Sequence, residues 1–482
     1  SFDGTTTITA ASGDTIDIGA AATFTTAADN ITFATGNIEL ANGSNLTVDT
    51  GAAGGNITIG EIDGHSTETV TLDAGTGTTS VGVIGATTEI GVLTIGSAQN
   101  GGITLNGAIT TDGAVTIDGP VTLATGAISV TTANDAITFN HKIDGDQTLT
   151  LVSGTATTTL SGNIGATTAL TGLTITNGTA NGTITFGGNI GDGSGAGVTG
   201  TTAIGNTNTA DLNFNGATYS FDGTTTITAA SGDTIDIGAA ATFTTAADNI
   251  TFATGNIELA NGSNLTVDTG AAGGNITIGE IDGHSTETVT LDAGTGTTSV
   301  GVIGATTEIG VLTIGSAQNG GITLNGAITT DGAVTIDGPV TLATGAVSVT
   351  TANDAITFNH KIDGPQTLTL VSGTAATAIQ GTIGGTNAIS SLTITNGTAN
   401  GTIEIANIEG VTGATAIGNT NTTTITLDGT AYSTDGTQTY TAAAGQNIDI
   451  TGVATFTTSN DNISFATSGV DLANNGTTTI NT

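Results

Sequence analysis

The stretch Ile103-Thr104-Leu105-Asn106-Gly107-Ala108-Ile109-Thr110-Thr111-Asp112-Gly113-Ala114-Val115-Thr116-Ile117-Asp118-Gly119-Pro120-Val121-Thr122-Leu123 holds three apolar-Thr-apolar triplets separated by Asn, Asp and Gly. Alternation of this kind places the apolar pair on one face of an extended chain and Thr on the other, and β-branched residues suit that pleated surface. Each triplet therefore reads as a short strand. The same unit recurs on both sides, as Ile31-Thr32-Phe33, Leu46-Thr47-Val48, Ile57-Thr58-Ile59, Val70-Thr71-Leu72, Leu93-Thr94-Ile95, Ile137-Thr138-Phe139 and Leu149-Thr150-Leu151. No helical period interrupts it.

A second, longer repeat frames the first. Ser1-Phe2-Asp3-Gly4-Thr5-Thr6-Thr7 returns as Ser220-Phe221-Asp222-Gly223-Thr224-Thr225-Thr226, an offset of 219, and the copies stay in step to Gly145 and Gly364 with Ile128 against Val347. A diverged third copy opens at Ser433, six residues early, the shortfall lying against Gly191-Asp192-Gly193-Ser194-Gly195-Ala196-Gly197, a loop that tolerates deletion. The domain expectation is copy one at 1–219, copy two at 220–432 and a partial copy three at 433–482. Starting at Ser1 and stopping inside a copy, the sequence reads as a processed or excised part of something longer.

Triplet starts lie mostly 6 to 13 residues apart in a chain with 76 Gly, 3 Pro, 12 Phe, 3 Tyr and no Trp, Met or Cys. A string of antiparallel β-sandwich domains would use similar spacings. A β-solenoid of two or three strands per coil, roughly 20 to 30 residues, fits better, because a narrow coil is filled by Ile, Val, Leu and Ala rather than by large aromatics. The fold expected is all-β, a parallel β-solenoid. Coils about 4.8 Å apart, at about 25 residues each, would give a fibre about 90 Å long.

Two basic residues against 40 acids, a formal charge of −38, make nucleic acid and anionic membranes poor partners. No apolar run is long enough for a membrane helix. Without Cys there is no disulfide, thiolate metal site or cysteine nucleophile. That, with the scarcity of Lys, suits an extracellular chain.

Gly145-Asp146-Gln147-Thr148-Leu149-Thr150-Leu151 and the run Ile164 to Ile175 resemble the repeat regions of very large bacterial surface proteins of the filamentous-haemagglutinin-like and autotransporter-like kinds. The resemblance spans the whole chain. It implies a right-handed parallel β-helix exported across the outer membrane and displayed at the cell surface as an adhesin or filament, with neighbouring fibre segments, another cell surface or a glycan as partners.

Candidate chemistry is sparse. Both lysines sit in Phe-Asn-His-Lys-Ile-Asp-Gly, where His141, Lys142, Asp144 and Asp146 lie close together and Lys361 heads the equivalent cluster. An acid-base group or a lysine-to-Asn cross-link is set against a strand end whose lysine pairs with a carboxylate; the second is favoured because Asp146 becomes Pro365. His65 and His284 read as solvated turn residues. No catalytic, cofactor or metal residue is assigned. Calcium is the one cofactor the charge invites, with candidate turns Ala28-Asp29-Asn30, Asn134-Asp135 and Gly191-Asp192-Gly193, although neither G-G-x-G-x-D nor EF-hand spacing occurs. Sequons at Asn30, Asn45, Asn56, Asn177 and Asn181 read as strand-opening Asn residues, and uneven spacing argues against an ice-matching Thr lattice. The leading expectation is a non-enzymatic extracellular fibre or adhesin stalk. A self-assembling sheath or surface-layer subunit is the alternative, and a carbohydrate-active β-helix enzyme the third reading.

Overall fold

The computed structural model describes residues 1–97, 101–192, 197–316, 320–466, 469–473 and 477–482. Among these there is no helix; the elements are short strands, and the pairings within each compact unit are parallel. The chain divides into two units: Ser1–Thr245 with Ala253–Gly255, and Ala246–Phe252 with Asn256–Thr482. Each is a β-solenoid whose coils have three sides, so that its strands stack in three ladders.

In the first unit the inward residues define the ladders. The first runs Thr6, Ile31, Ile57, Thr79, Ile103, Val121, Ile143, Ile164, Ile190, Tyr219, Phe243. The second runs Ile16, Ile38, Ile62, Ile84, Ile109, Val130, Leu151, Ile175, Ile204, Ile227. The third runs Phe24, Val48, Leu72, Ile95, Ile117, Phe139, Leu160, Phe186, Phe214, Ile237. A coil is about 23 residues, within the range expected from the sequence. The second unit repeats the arrangement, with ladders through Val267 to Leu472, Ile250 to Ile480 and Ile257 to Phe465.

Every triplet quoted above falls in a strand, for instance Ile103–Leu105, Val115–Asp118 and Val121–Leu123. Triplet spacing varies, yet register holds. The outward residues Thr23, Thr47, Thr71, Thr94, Thr116, Thr138, Thr159 and Thr185 are consecutive partners along the third ladder. Uneven spacing is thus absorbed by the corners, and a regular Thr row forms in spite of it, contrary to the expectation from spacing. The row is only one residue wide: the outward neighbours two positions earlier are mixed, as in Asn45, Thr69, Val92 and Ala114.

Corners are built from local hydrogen bonds. Asp49 and Asp73 each accept the amide of the glycine two residues on, Gly51 and Gly75, at 2.7 and 2.8 Å. Gly75 has φ +55, and a Cβ there would stand 2.2 Å from the Gly51 carbonyl oxygen of the preceding coil. Left-handed backbone and close approach both demand glycine. Gly75→Ala should destabilise its coils by about 1–3 kcal/mol, read as a lowered denaturation midpoint.

The core differs in one respect from the expectation of a filling without large aromatics. All three tyrosines and most phenylalanines point inward, and the tyrosines with some of the phenylalanines gather where one long repeat meets the next. Phe214 lies 5.1 Å from Phe186, 4.9 Å from Tyr219 and 5.2 Å from Phe243 between ring centroids. In the second unit Tyr432 stacks on Phe456 at 4.8 Å, and Tyr440 on Phe465 at 5.1 Å. Burial pushes the Tyr219 and Tyr432 hydroxyls up, and each accepts an amide, from Gly216 and Gly429. Thr158 is a lapse in the filling: it faces inward between Ile137 and Ile184, and its Oγ1 is buried without a hydrogen-bond partner. Thr158→Val keeps the shape and removes the hydroxyl, so thermal unfolding should show a gain of about 1 kcal/mol.

Candidate functional site

The lysine cluster forms at a strand end. Lys142 Nζ lies 2.9 Å from Asp144 Oδ2 and donates to Thr167 Oγ1 at 3.3 Å. The other carboxylate oxygen, Oδ1, accepts the amides of Thr167 and Thr168 in the next coil at 2.8 and 3.2 Å. Burial alone would push this carboxyl up; Lys142 and the two amides outweigh it and hold the group below its ordinary value. His141 Nε2 meets Asp118 Oδ1 at 3.3 Å, and Asp146 takes no part in the pair, accepting from Gln147 Nε2.

The second copy is the same: Lys361 Nζ lies 2.9 Å from Asp363 Oδ2, Asp363 Oδ1 accepts from Thr386 and Asn387, and His360 meets Asp337 at 3.2 Å. Because Pro365 replaces Asp146 with the arrangement unchanged, Asp146 is dispensable to it. The arrangement is an anchor between coils. Lys142→Met should therefore cost less than about 1 kcal/mol by thermal melting, since Lys142 is half exposed while Asp144 keeps its two amide donors.

Asp63 and Asp282 show that the anchor does not require lysine. Each accepts two amides from the next coil, Asp63 from Thr87 and Thr88, Asp282 from Thr306 and Thr307. The sequence carried this as Ile-Asp-Gly followed one coil later by Gly-Ala-Thr-Thr, at Ile62-Asp63-Gly64 and Gly85-Ala86-Thr87-Thr88.

A carboxylate that the sequence reading passed over is the most buried acid of the first copy. Glu68 has no exposed surface. Its Oε2 accepts the amides of His65 at 2.6 Å and Thr67 at 3.2 Å; its Oε1 accepts Gly43 N at 2.9 Å and Thr67 Oγ1 at 2.8 Å. Burial raises the group, but these donors outweigh it and hold the carboxyl down at about 2. Glu287 is its counterpart, also at about 2, with His284, Gly262 and Thr286 as donors. The turn that wraps the carboxylate needs Ser66 at φ +67, with Ser285 at +66.

His65 is exposed, as expected of a turn residue, but fixed: its Nδ1 meets the Leu40 carbonyl at 3.0 Å. It borders an open groove of about 410 Å³ with Asp17, Glu39 and Ala41. Asp17 and Glu39 are register partners, and Glu39 pairs onward with Asp63. This acidic strip crowds charge: Glu61 is pushed up first by burial and then by Asp63.

Among the described residues no three His, Asp or Glu side chains converge as metal ligands. The calcium candidates at Asp29 and Asp135 are turns in which the Asp backbone carbonyl accepts the hydroxyl of Thr26 or Thr132. Gly193 of the third candidate, and positions 193–196 of the 191–197 loop, lie outside the described residues. Of the sequons, Asn177 is buried, donating to Ser153 Oγ and accepting from Thr209 Oγ1, which makes it a core residue. Asn30 and Asn56 are exposed and stack: Asn30 Oδ1 accepts Asn56 N, and Asn56 Oδ1 accepts Thr78 N.

No family model, curated protein or solved structure matches this chain.

Proposed function

We propose that this chain is a section of an extracellular structural fibre or adhesin stalk, and that it works by length and stiffness rather than by turnover. One observation carries the reading: the lysine cluster and the buried carboxylates are spent on joining coil to coil. Lys142, Asp144, Asp63 and Glu68 each bond to a neighbouring coil or its turn, and their second-copy equivalents do the same. A lyase or hydrolase would keep such groups free to meet a substrate.

Stacked backbone hydrogen bonds supply the stiffness, and the negative surface opposes clumping of neighbouring fibres. The reading is tested on the protein as it stands. Electron cryo-microscopy should show stiff particles with coils about 4.8 Å apart, and a panel of acidic and neutral polysaccharides should remain uncleaved. Turnover of any of them would replace the structural reading with the enzymatic one.

A further inference from the structure

The long repeat and the coil are out of phase. Ile8 belongs to the first ladder, pairing with Phe33, whereas its equivalent Ile227 pairs with Ile204 on the second. Ile18 is on the second ladder, paired with Leu40; its equivalent Ile237 is on the third, paired with Phe214. Phe24 is on the third, paired with Val48; its equivalent Phe243 is on the first, paired with Tyr219. All six residues lie in the first unit, so one long repeat advances the chain by nine coils and one side.

The second unit makes the same step by itself. Ile250 pairs with Ile276, on the ladder that reaches Phe456 and Ile480, yet its third-copy equivalent Ile463 pairs with Gln438 on the neighbouring ladder. Ile257 and its equivalent Val470 are likewise on different ladders. The step survives the six-residue deletion, which falls between Phe186 and Val198 on one side and Ile405 and Val411 on the other. The chain between those residues changed length while the count of sides did not, Ile190 and Ile408 each keeping a place on a ladder.

We infer that this advance is a display device: each surface feature of the repeat is presented on the three faces in rotation, returning to its first face only after three repeats. The acidic strip shows the effect. Asp17 and Glu39 stand on the second ladder of the first unit, and Asp236, the equivalent of Asp17, on the third beside Asn213. A second copy of this chain therefore finds no one face carrying the same features from repeat to repeat, and a flat lateral sheet has no common side to build on. A ligand recognising one repeat is met from every direction. The inference rests on the fibre reading above and favours separate fibres over a sheath or surface layer.

The test uses Ser12 and Ser231, equivalent exposed turn residues of the first unit, in a chain with no cysteine of its own. Ser12→Cys and Ser231→Cys are combined in the full chain, biotinylated through maleimide, and loaded with monovalent streptavidin for electron cryo-microscopy. Two labels about 45 Å apart along the axis and rotated about 120° around it are expected. Labels on one side, or at no fixed azimuth, overturn the inference. Polysaccharide turnover, which would sink the fibre reading, leaves the azimuth unchanged, so the two failures are distinguishable.

Discussion

Lowering the pH from about 5 towards 2 should strip stability from the coils around Glu68 and Glu287. Each carboxyl is held at about 2 in the fold, against an ordinary value of 4.5. A carboxylate with a depressed folded pKa contributes its full stabilisation above the unfolded value and loses it as pH falls through the folded one. The loss thus runs from about pH 4.5 down to about 2. Two to three pK units correspond to roughly 3 kcal/mol at each site. Asp144 and Asp363, also held low, add to the loss in the same direction.

Glu61 and Glu280 work oppositely, because burial and the neighbouring Asp63 or Asp282 push them up, and protonating them relieves that cost. Glu68→Gln should flatten the acid limb of a melting-temperature profile. It should also cost about 2 kcal/mol at neutral pH, since an NH2 group must then face backbone amides. An unchanged acid limb in Glu68→Gln/Glu287→Gln would show that other carboxylates carry the acid sensitivity.

Phe214→Ala is the substitution expected to cost most. The ring is fully buried and stacks on that of Phe186 along its own ladder, while the rings of Tyr219 and Phe243, on the first ladder, meet it edge-on across the core. Truncation removes all three contacts and leaves a cavity whose walls are pinned by the ladders, so a loss of about 3–5 kcal/mol is expected. Because coils contact chiefly their neighbours, the damage should be local. Hydrogen exchange should quicken in the strands Gly182–Phe186, Thr209–Phe214 and Thr234–Ile237 while amides near Ile103–Leu105 keep their protection. A uniform rise in exchange across the unit would mean that it unfolds as one cooperative block.

The strands were legible in the sequence because a period of two in Ile, Leu, Val and Thr has one structural meaning, and the triplets at Leu46 and Val121 show it as plainly as any. Thr15–Ile18 and Asn37–Leu40 carry the same alternation with an acid in the outward place, which a search keyed to Thr passes over. Glu68 was hidden for a related reason. In Thr67-Glu68-Thr69-Val70 the alternation puts it in phase with inward Val70 and Leu72, but an inward carboxylate makes sense only once the left-handed turn at Ser66 and the amides of His65 and Gly43 are seen to wrap it. The coil boundaries were masked by the uneven spacing of the triplets, since a long corner and an extra side look alike until register partners are known. The inward placement of Tyr219, Tyr432 and Tyr440 was likewise invisible, because nothing local separates an inward Tyr from an outward one.

A duplication that lands every residue one ladder over would wreck a protein whose three sides were specialised. Here Ile8 and Ile227, Ile18 and Ile237, and Phe24 and Phe243 occupy different sides, and all but Ile8 and Phe24, in the outermost coil, are buried. The sides are interchangeable hosts, so a duplicated unit need not be a whole number of turns to be accommodated. Recombination between near-identical copies can then lengthen or shorten the array at many points without a frame to respect beyond the reading frame itself.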